Sequence, residues 1–495
     1  MPGPAVQTNT FYYWLGFIVY SVTVISIGVY VWFKEKKLGR QNNNKEYWEA
    51  GSKLSGWSIG LSISASMMSV SWSAVYGVQL FYWYGIGGIW LLIVPWLLTM
   101  AGFFIFTPMF RQFRAFSQPQ LLEKRFGPSA RWYLAPALII VFITWTGAEI
   151  YAAGKIIAPL LGVSHYWTLF LITLVVAVYS YSGGFAAVVS TDKIQFALVA
   201  MFIAVIAWLG FNASGEMLLN GTIPHPPKAQ SGNTLFSPGI GLILITLFAY
   251  LPGWLIETDV WVRIQAARSN RAARKGVLLA AFNSFIFVGL LPLLIGVSAL
   301  LLFPPVNGQV PQELENGTLI FTLIMQNYAP LWLNIFLSVG LIAAAMSTID
   351  TCAHIVALSF SHDLLEPFLK RKWSAEKLNK FARLSSIAAV FISFIYAVFT
   401  DNLWDIFYLS SGILTTTIFI PVIASFIPGT RRLQIKLSVL FGLSATLVFY
   451  FLESRNVLPG FEPVIFSKTG LGYIIWGFLF SAGGFFLGMV APAED

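Results

Sequence analysis

From about residue 12 to residue 490 the chain alternates long apolar runs with short polar or basic connectors. An apolar run of about 17 residues or more is long enough to cross a bilayer as a helix. On that rule the pattern predicts thirteen membrane helices, at 12–33, 56–82, 86–109, 132–160, 166–182, 191–212, 239–262, 277–303, 331–361, 384–400, 404–427, 437–452 and 471–490. One run departs from plain hydrophobicity. Gly340–His354 reads GLIAAAMSTIDTCAH, and Ala344, Ser347, Thr348 and Thr351 fall at i, i+3, i+4 and i+7, so a helix lines them along one face. Small residues let another backbone come close, and hydroxyl and carboxyl oxygens suit a hard cation such as sodium. Asp350 at bilayer depth is costly unless it is paired or working. The stripe reads as one wall of a coupling-ion site.

Two helices are expected to be broken. Gly56–Gly77 carries serine at 58, 62, 64, 66, 69, 71 and 73, whose hydroxyls can satisfy an unwound backbone. The seventh helix carries Tyr250–Leu251–Pro252–Gly253–Trp254, where proline removes a donor and glycine loosens the chain. Five helices separate the start of one from the start of the other. Interrupted helices at equivalent places in two halves point to a transporter site near the midplane, and an odd number of helices per half inverts the repeat. Substrate-facing candidates are Ser66, Met67, Ser69, Ser71 and Trp72 at the first break, and Tyr250, Trp254 and Glu257 at the second. Asp259 reads as a structural partner for a base. Glu257 is either a ligand for amine or hydroxyl groups or the partner of Arg263. Glu149, also at membrane depth, reads as an inward-facing polar group, and Lys155 as an outward-reaching one.

Composition confirms the class: of 495 residues 57% are hydrophobic and 10% charged, and the mean hydropathy is +0.74. This is an all-α polytopic membrane protein. The net charge of +9 at first suggests a nucleic-acid partner. However, all 30 basic residues except Lys155, Lys228, Arg455 and Lys468 fall in connectors that would share one side. By the positive-inside rule the N-terminus is expected outside and the C-terminus inside, with no role for nucleic acid. The start MPGPAVQTNTFYYW is expected to be a retained outer end rather than a signal peptide. A single cysteine, Cys352, leaves no internal disulfide. The expected organisation is an extra helix and loop at 1–45, a first five-helix repeat at 46–212, an outer connector at 213–238, a second repeat at 239–430, and two further helices at 431–495. Asn-x-Ser/Thr triplets occur at Asn212, Asn220 and Asn316.

At Tyr179–Gln195 the sequence YSYSGGFAAVVSTDKIQ resembles the signature of the sodium/solute symporter family, through Tyr181, Gly183, Gly184, Ala187, Val188, Thr191, Asp192 and Gln195. Glu46–Gly51, Gln120–Gly127, Trp261–Ser269 and Met346–Thr348 agree with it. The resemblance implies a leucine-transporter-type five-plus-five inverted repeat. It implies a sodium site at Ala65 and Met68 on the first broken helix and Ala344, Ser347 and Thr348 on the later one. Small residues that merely permit close packing are the plainer reading of the same stripe. Some members, the sialic acid transporters, have a second sodium site. Asp192, Ser347 and Thr351 match it, while Asp350 stands where those members have serine. Asp192, Asp350 and Thr351 therefore form a possible second cation site, with a shared proton or a structural ion pair as alternatives. Met67 stands where proline transporters carry aspartate, and Glu257 where galactose transporters carry asparagine.

The implied activity is sodium-coupled import of a small organic solute by alternating access, at the plasma membrane. The solute classes are amino acid, monocarboxylate, sugar or vitamin, and no cofactor beyond the coupling ion is implied. One rival is a proton-coupled transporter working through Asp192, Asp350 and His354, although His354 also reads as a packing histidine. Another is a membrane sensor on the same fold, which would be expected to carry a fused signalling domain. An enzyme is disfavoured, because the sequence lacks HExxH and a GxSxG with partners.

Overall fold

The structure, a computed structural model, describes residues 6–37, 50–180, 185–369, 373–457, 465–466 and 468–490. The signature residues Tyr181, Gly183 and Gly184, and Glu46–Glu49 of the first matching block, lie outside these. Among the described residues the fold is helical throughout, with two isolated bridges and no strand.

Helices occupy every predicted place: α1 (Val6–Lys37), α2 (Gly56–Met67), α3 (Val70–Trp90), α4 (Ile93–Arg111), α5 (Pro128–Leu161), α6 (His165–Ser180) and α7 (Phe185–Asn220). They continue as α8 (Ile240–Trp254), α9 (Thr258–Gln265), α10 (Asn270–Leu302), α11 (Leu331–Leu365), α12 (Ala375–Val398), α13 (Leu403–Ala424), α14 (Arg432–Ser454) and α15 (Gly472–Val490). Among the described residues eleven spans, with α8 and α9 taken together as one, are long and apolar enough to cross a membrane alone. The α2–α3 pair, bent by 52° at its break, makes a twelfth, and α6 is a shorter apolar helix. Several helices outrun the apolar pattern. α10 starts at Asn270 rather than 277, α12 at Ala375 rather than 384, and α7 runs to Asn220, so residues 213–220 continue that helix instead of opening the connector. Their polar ends are helical without being hydrophobic. Ser269 and Ser374 cap the two starts by accepting from the Ala272 and Lys377 N–H groups. No proline stands in α7 before Pro224, and the glycines within it, Gly210 and Gly215, do not end the helix, which stops just before Gly221. The connector predicted at 304–330 also holds a short helix, Ile320–Tyr328.

α11 is the axis of the packing. Every residue from Gly340 to Ser359 is buried, the polar stripe of Ser347, Thr348, Asp350 and Thr351 included. It packs against α1, α2, α5, α7 and α12. α2 is held from its other side by α10, through glycine. A Cβ on Gly60 would lie 2.9 Å from the Gly276 carbonyl, and one on Gly56 would lie 2.6 Å from the Ala272 carbonyl. The two backbones therefore touch, by the small-xxx-small device of membrane helices.

Candidate functional site

The first break falls at Met68–Ser69. α2 ends as Met68 takes φ −83° and ψ 49°, and Ser69 is extended at φ −77°, ψ 160°. Serines hold the ends. Ser69 Oγ accepts from the Trp72 N–H at 2.9 Å, and Ser64 Oγ donates to the Gly60 carbonyl at 2.7 Å while accepting from Asn283 Nδ2 at 2.9 Å. A helix C-terminus leaves its last carbonyls without intrahelical donors and carries partial negative charge. Here that end faces α11, where Thr348 Oγ1 donates to the Ser66 carbonyl at 3.2 Å. Ala65, Met68, Ala344, Ser347 and Thr348 are all buried. The contact falls on the Ser66 carbonyl, one residue along from the expected Ala65.

Ser347, one residue before Thr348, turns to a different partner. Its Oγ donates to Asp192 Oδ1 at 2.9 Å. Ser62 Oγ donates to Asp192 Oδ2, which also takes Arg263 Nη2 at 3.1 Å. Arg263 reaches Thr351 Oγ1 at 3.1 Å and Ser62 Oγ at 2.8 Å, and its Nη1 pairs with Asp259. Asp192 and Thr351 are thus brought together around a guanidinium. Sequence reading had counted Arg263 among the connector bases, yet it is fully buried. Asp350 is buried on α11, and His354 packs its ring on Phe185 with centroids 5.7 Å apart.

The second break lies between α8 and α9. Pro252 cannot donate, and Thr415 of α13 inserts its hydroxyl into the helical ladder beside it. Thr415 Oγ1 accepts from the Gly253 N–H at 3.0 Å and donates to the Ala249 carbonyl at 2.6 Å, replacing one i→i−4 bond. Only glycine permits this approach, because a Cβ on Gly253 would stand 2.6 Å from Leu414 Cβ. Glu257 then caps α9, with Oε1 accepting from the Asp259 N–H at 2.8 Å and Oε2 from the Val260 N–H at 3.0 Å. A second glutamate does the same for α3. Glu149 of α5 accepts the Ser71 N–H at 3.2 Å and the Ser71 hydroxyl.

Both breaks open onto one small cavity, of about 70 Å³. Of the residues the sequence offers as substrate-facing, Ser66, Met67, Ser69, Ser71, Trp72, Trp254 and Glu257 line it. Tyr250 is not in the lining. It is fully buried behind Trp254, stacked on it at 4.4 Å and on Tyr408 at 4.9 Å. The sequence reading missed Trp96, Phe142, Trp145, Cys352, Phe407 and Ser411, all of which line the cavity. The approach of α4, α5 and α13 to the breaks puts Trp96, Phe142, Trp145, Phe407 and Ser411 there, which no local pattern marks, whereas Cys352 lies on α11 one turn after Thr348, where the helix period could have placed it. Lys155 pairs with Glu315 at 3.0 Å, away from the cavity.

The model of the sodium:solute symporter family matches residues 47–456. Among curated relatives, a sodium/glucose cotransporter of Vibrio parahaemolyticus is 26% identical over 412 residues, 77% of this chain and 74% of that one. An osmoregulated proline transporter of Bacillus subtilis (strain 168) is 25% identical, covering 75% and 76%. A sodium/sialic acid symporter of Aliivibrio fischeri (strain ATCC 700601 / ES114) is 23% identical, covering 81% and 80%. Among solved structures, a substrate-bound, outward-open Na⁺-coupled sialic acid symporter superposes with a TM-score of 0.72 over 98% of both chains at 18% identity, a likeness of fold. The chain belongs to the sodium:solute symporter family, and is thus a multi-pass plasma-membrane protein that couples the movement of a small solute to sodium rather than an enzyme.

Proposed function

We propose that this chain imports its solute by holding Na⁺ between the end of α2 and the middle of α11, with the solute in the cavity between the two breaks. The backbone oxygens of Ala65 and Met68, with those of Ala344 and the hydroxyls of Ser347 and Thr348, form the ion's donor set. Neutral oxygens in that number suit a hard monovalent cation. The observation that carries the reading is the Thr348 hydroxyl lying 3.2 Å from the Ser66 carbonyl across the break. Sodium there ties α2 to α11, and it drives transport because the tie exists in one state of the cycle and is broken in the other. Solute access from the outside, an outer N-terminus and an inner C-terminus follow from the distribution of basic residues. The two five-helix halves are 46–212 and 239–430, the first now ending beyond 212, at Asn220.

The signature aspartate has a different task in this reading. Asp192 and Thr351 grip Arg263, whose charge stands where the second cation would sit, so the site takes one sodium per cycle. The same grip argues against Asp192 as a proton carrier. The test is thermal stability of the purified protein titrated with NaCl at constant ionic strength against KCl. Sodium raises Tm in the native protein, and Ser347→Ala with Thr348→Ala removes the rise. A rise that survives in the double variant sinks the assignment.

A further inference from the structure

Resting on the reading of the cavity as the solute site, we infer that the solute is a small organic cation: an ammonium-bearing molecule that also presents an acceptor oxygen. Three acids, Glu149, Glu257 and Asp259, line the cavity, and the lining contains no Lys, Arg or His among the described residues. Asp259 is paired with Arg263. Glu149 and Glu257 have no basic side chain within ion-pair distance among the described residues. Their hydrogen-bond partners among the described residues are donors: the Ser71 N–H and hydroxyl for Glu149, and two N–H groups, one on each oxygen, for Glu257. This is the bonding of a carboxylate that accepts on both oxygens at a helix start.

Those contacts also decide against an anion. The start of an interrupted half-helix is where a transporter receives a substrate carboxylate, through free N–H groups. Here each start already holds a glutamate of the protein itself. A solute carboxylate would meet occupied donors and a like charge. Asp192 and Asp259 share the one Arg263, so with Glu149 and Glu257 these four acids outnumber that base by three, and one sodium and one cationic solute each reduce the excess of buried negative charge.

The rest of the lining suits such a head group. Trp72, Trp96, Trp145, Trp254, Phe142 and Phe407 present aromatic rings, whose faces attract ammonium groups. Two of these indoles are satisfied by the protein, Trp254 Nε1 by Ser411 Oγ at 3.1 Å and Trp145 Nε1 by Ser410 Oγ at 2.6 Å. Trp96 is 3% exposed, and its Nε1 has no partner among the described residues. A buried donor of this kind calls for an acceptor, which the solute's oxygen supplies.

The experiment is a Tm screen of the full-length protein in Na⁺ and in K⁺, using ethanolamine and choline, their carbon-for-nitrogen isosteres 1-propanol and 3,3-dimethyl-1-butanol, and lactate. The ammonium compounds raise Tm and the isosteres and lactate do not. Glu257→Gln raises the half-saturating concentration by about tenfold or more, since a hydrogen-bonded charge is worth about 1.5–3 kcal/mol. If that variant does not fold, Trp96→Phe provides the second reading. It weakens ethanolamine several-fold and leaves ethylamine unchanged. A sodium response with no ammonium response, whether or not a neutral or anionic solute responds, overturns the cation reading and leaves the sodium site standing. Absence of the sodium response counts against the sodium site, and the ammonium response then decides the cation reading by itself.

Discussion

Thr348→Val isolates one oxygen at the joint between α2 and α11. Valine keeps the branched shape and removes only the hydroxyl, which in the absence of ion donates to the Ser66 carbonyl at 3.2 Å. Losing that neutral hydrogen bond costs about 0.5–1.5 kcal/mol of stability in potassium. In sodium the loss is larger, because an oxygen in contact with a full charge contributes about 1.5–3 kcal/mol. The sodium affinity changes by the difference between the two losses, about 1–1.5 kcal/mol, so at 1.4 kcal/mol per tenfold the sodium concentration for half-maximal stabilisation rises by about 5- to 12-fold. The assay is the sodium titration of Tm at constant ionic strength, with radiolabelled sodium binding as an independent readout. Thr348→Ser restores the oxygen and is expected to restore most of the affinity. A valine variant that titrates like the native protein, or a serine variant as weak as valine, would show that the ion is not held at this joint.

Other outcomes follow from the same geometry. Arg263→Met leaves Asp192 and Asp259 buried without their partner and is expected to cost about 3–5 kcal/mol, read as a lower Tm and a smaller monodisperse yield. Adding Asp192→Asn to it recovers part of that loss, which a non-interacting pair would not do. Gly253→Ala places a methyl group 2.6 Å from Leu414 Cβ and 2.9 Å from Thr415 Oγ1, so it destabilises by about 1–3 kcal/mol, measurable as a Tm shift in either salt. Cys352 is the single cysteine and lines the cavity, so thiol labelling of the native chain reports on that space alone. An aminoethyl methanethiosulfonate is expected to react faster there than the sulfonatoethyl reagent, and ethanolamine with sodium to slow it.

The legible parts of this chain are those in which helix period and backbone chemistry coincide. The stripe of Ala344, Ser347, Thr348 and Thr351 could be read because every contact on it follows from the period of one helix. The breaks could be read because serine, proline and glycine act on the backbone where they stand. Arg263 was misread because hydropathy assigns a base near an apolar end to the surface. Nothing in a linear sequence shows that α9 re-enters after the break and carries the guanidinium to Asp192, 71 positions away. Tyr250 had the right address and the wrong depth, since its stacking on Trp254 and Tyr408 moves it behind the wall. Trp96, Trp145 and Phe407 belong to helices whose many aromatic residues look alike until neighbours select among them. The capping role of Glu149 was equally hidden, because it acts on a helix 78 residues before it.

The glycine contact between α2 and α10 gives the molecule a mechanical asymmetry. At Gly56, Gly60 and Gly276 that seam brings backbone against backbone, with Ile59, Lys275 and Leu279 packed beside the glycines, and leaves little room for another spacing. The opposite seam, towards α11, is closed by a hydroxyl meeting a carbonyl, a joint that can part without disturbing packing. Motion during transport is therefore expected at the second seam, with α2 and α10 moving together as a lever past α11. A larger residue at Gly60 would jam the lever while leaving the ion's oxygens in place, separating binding from turnover.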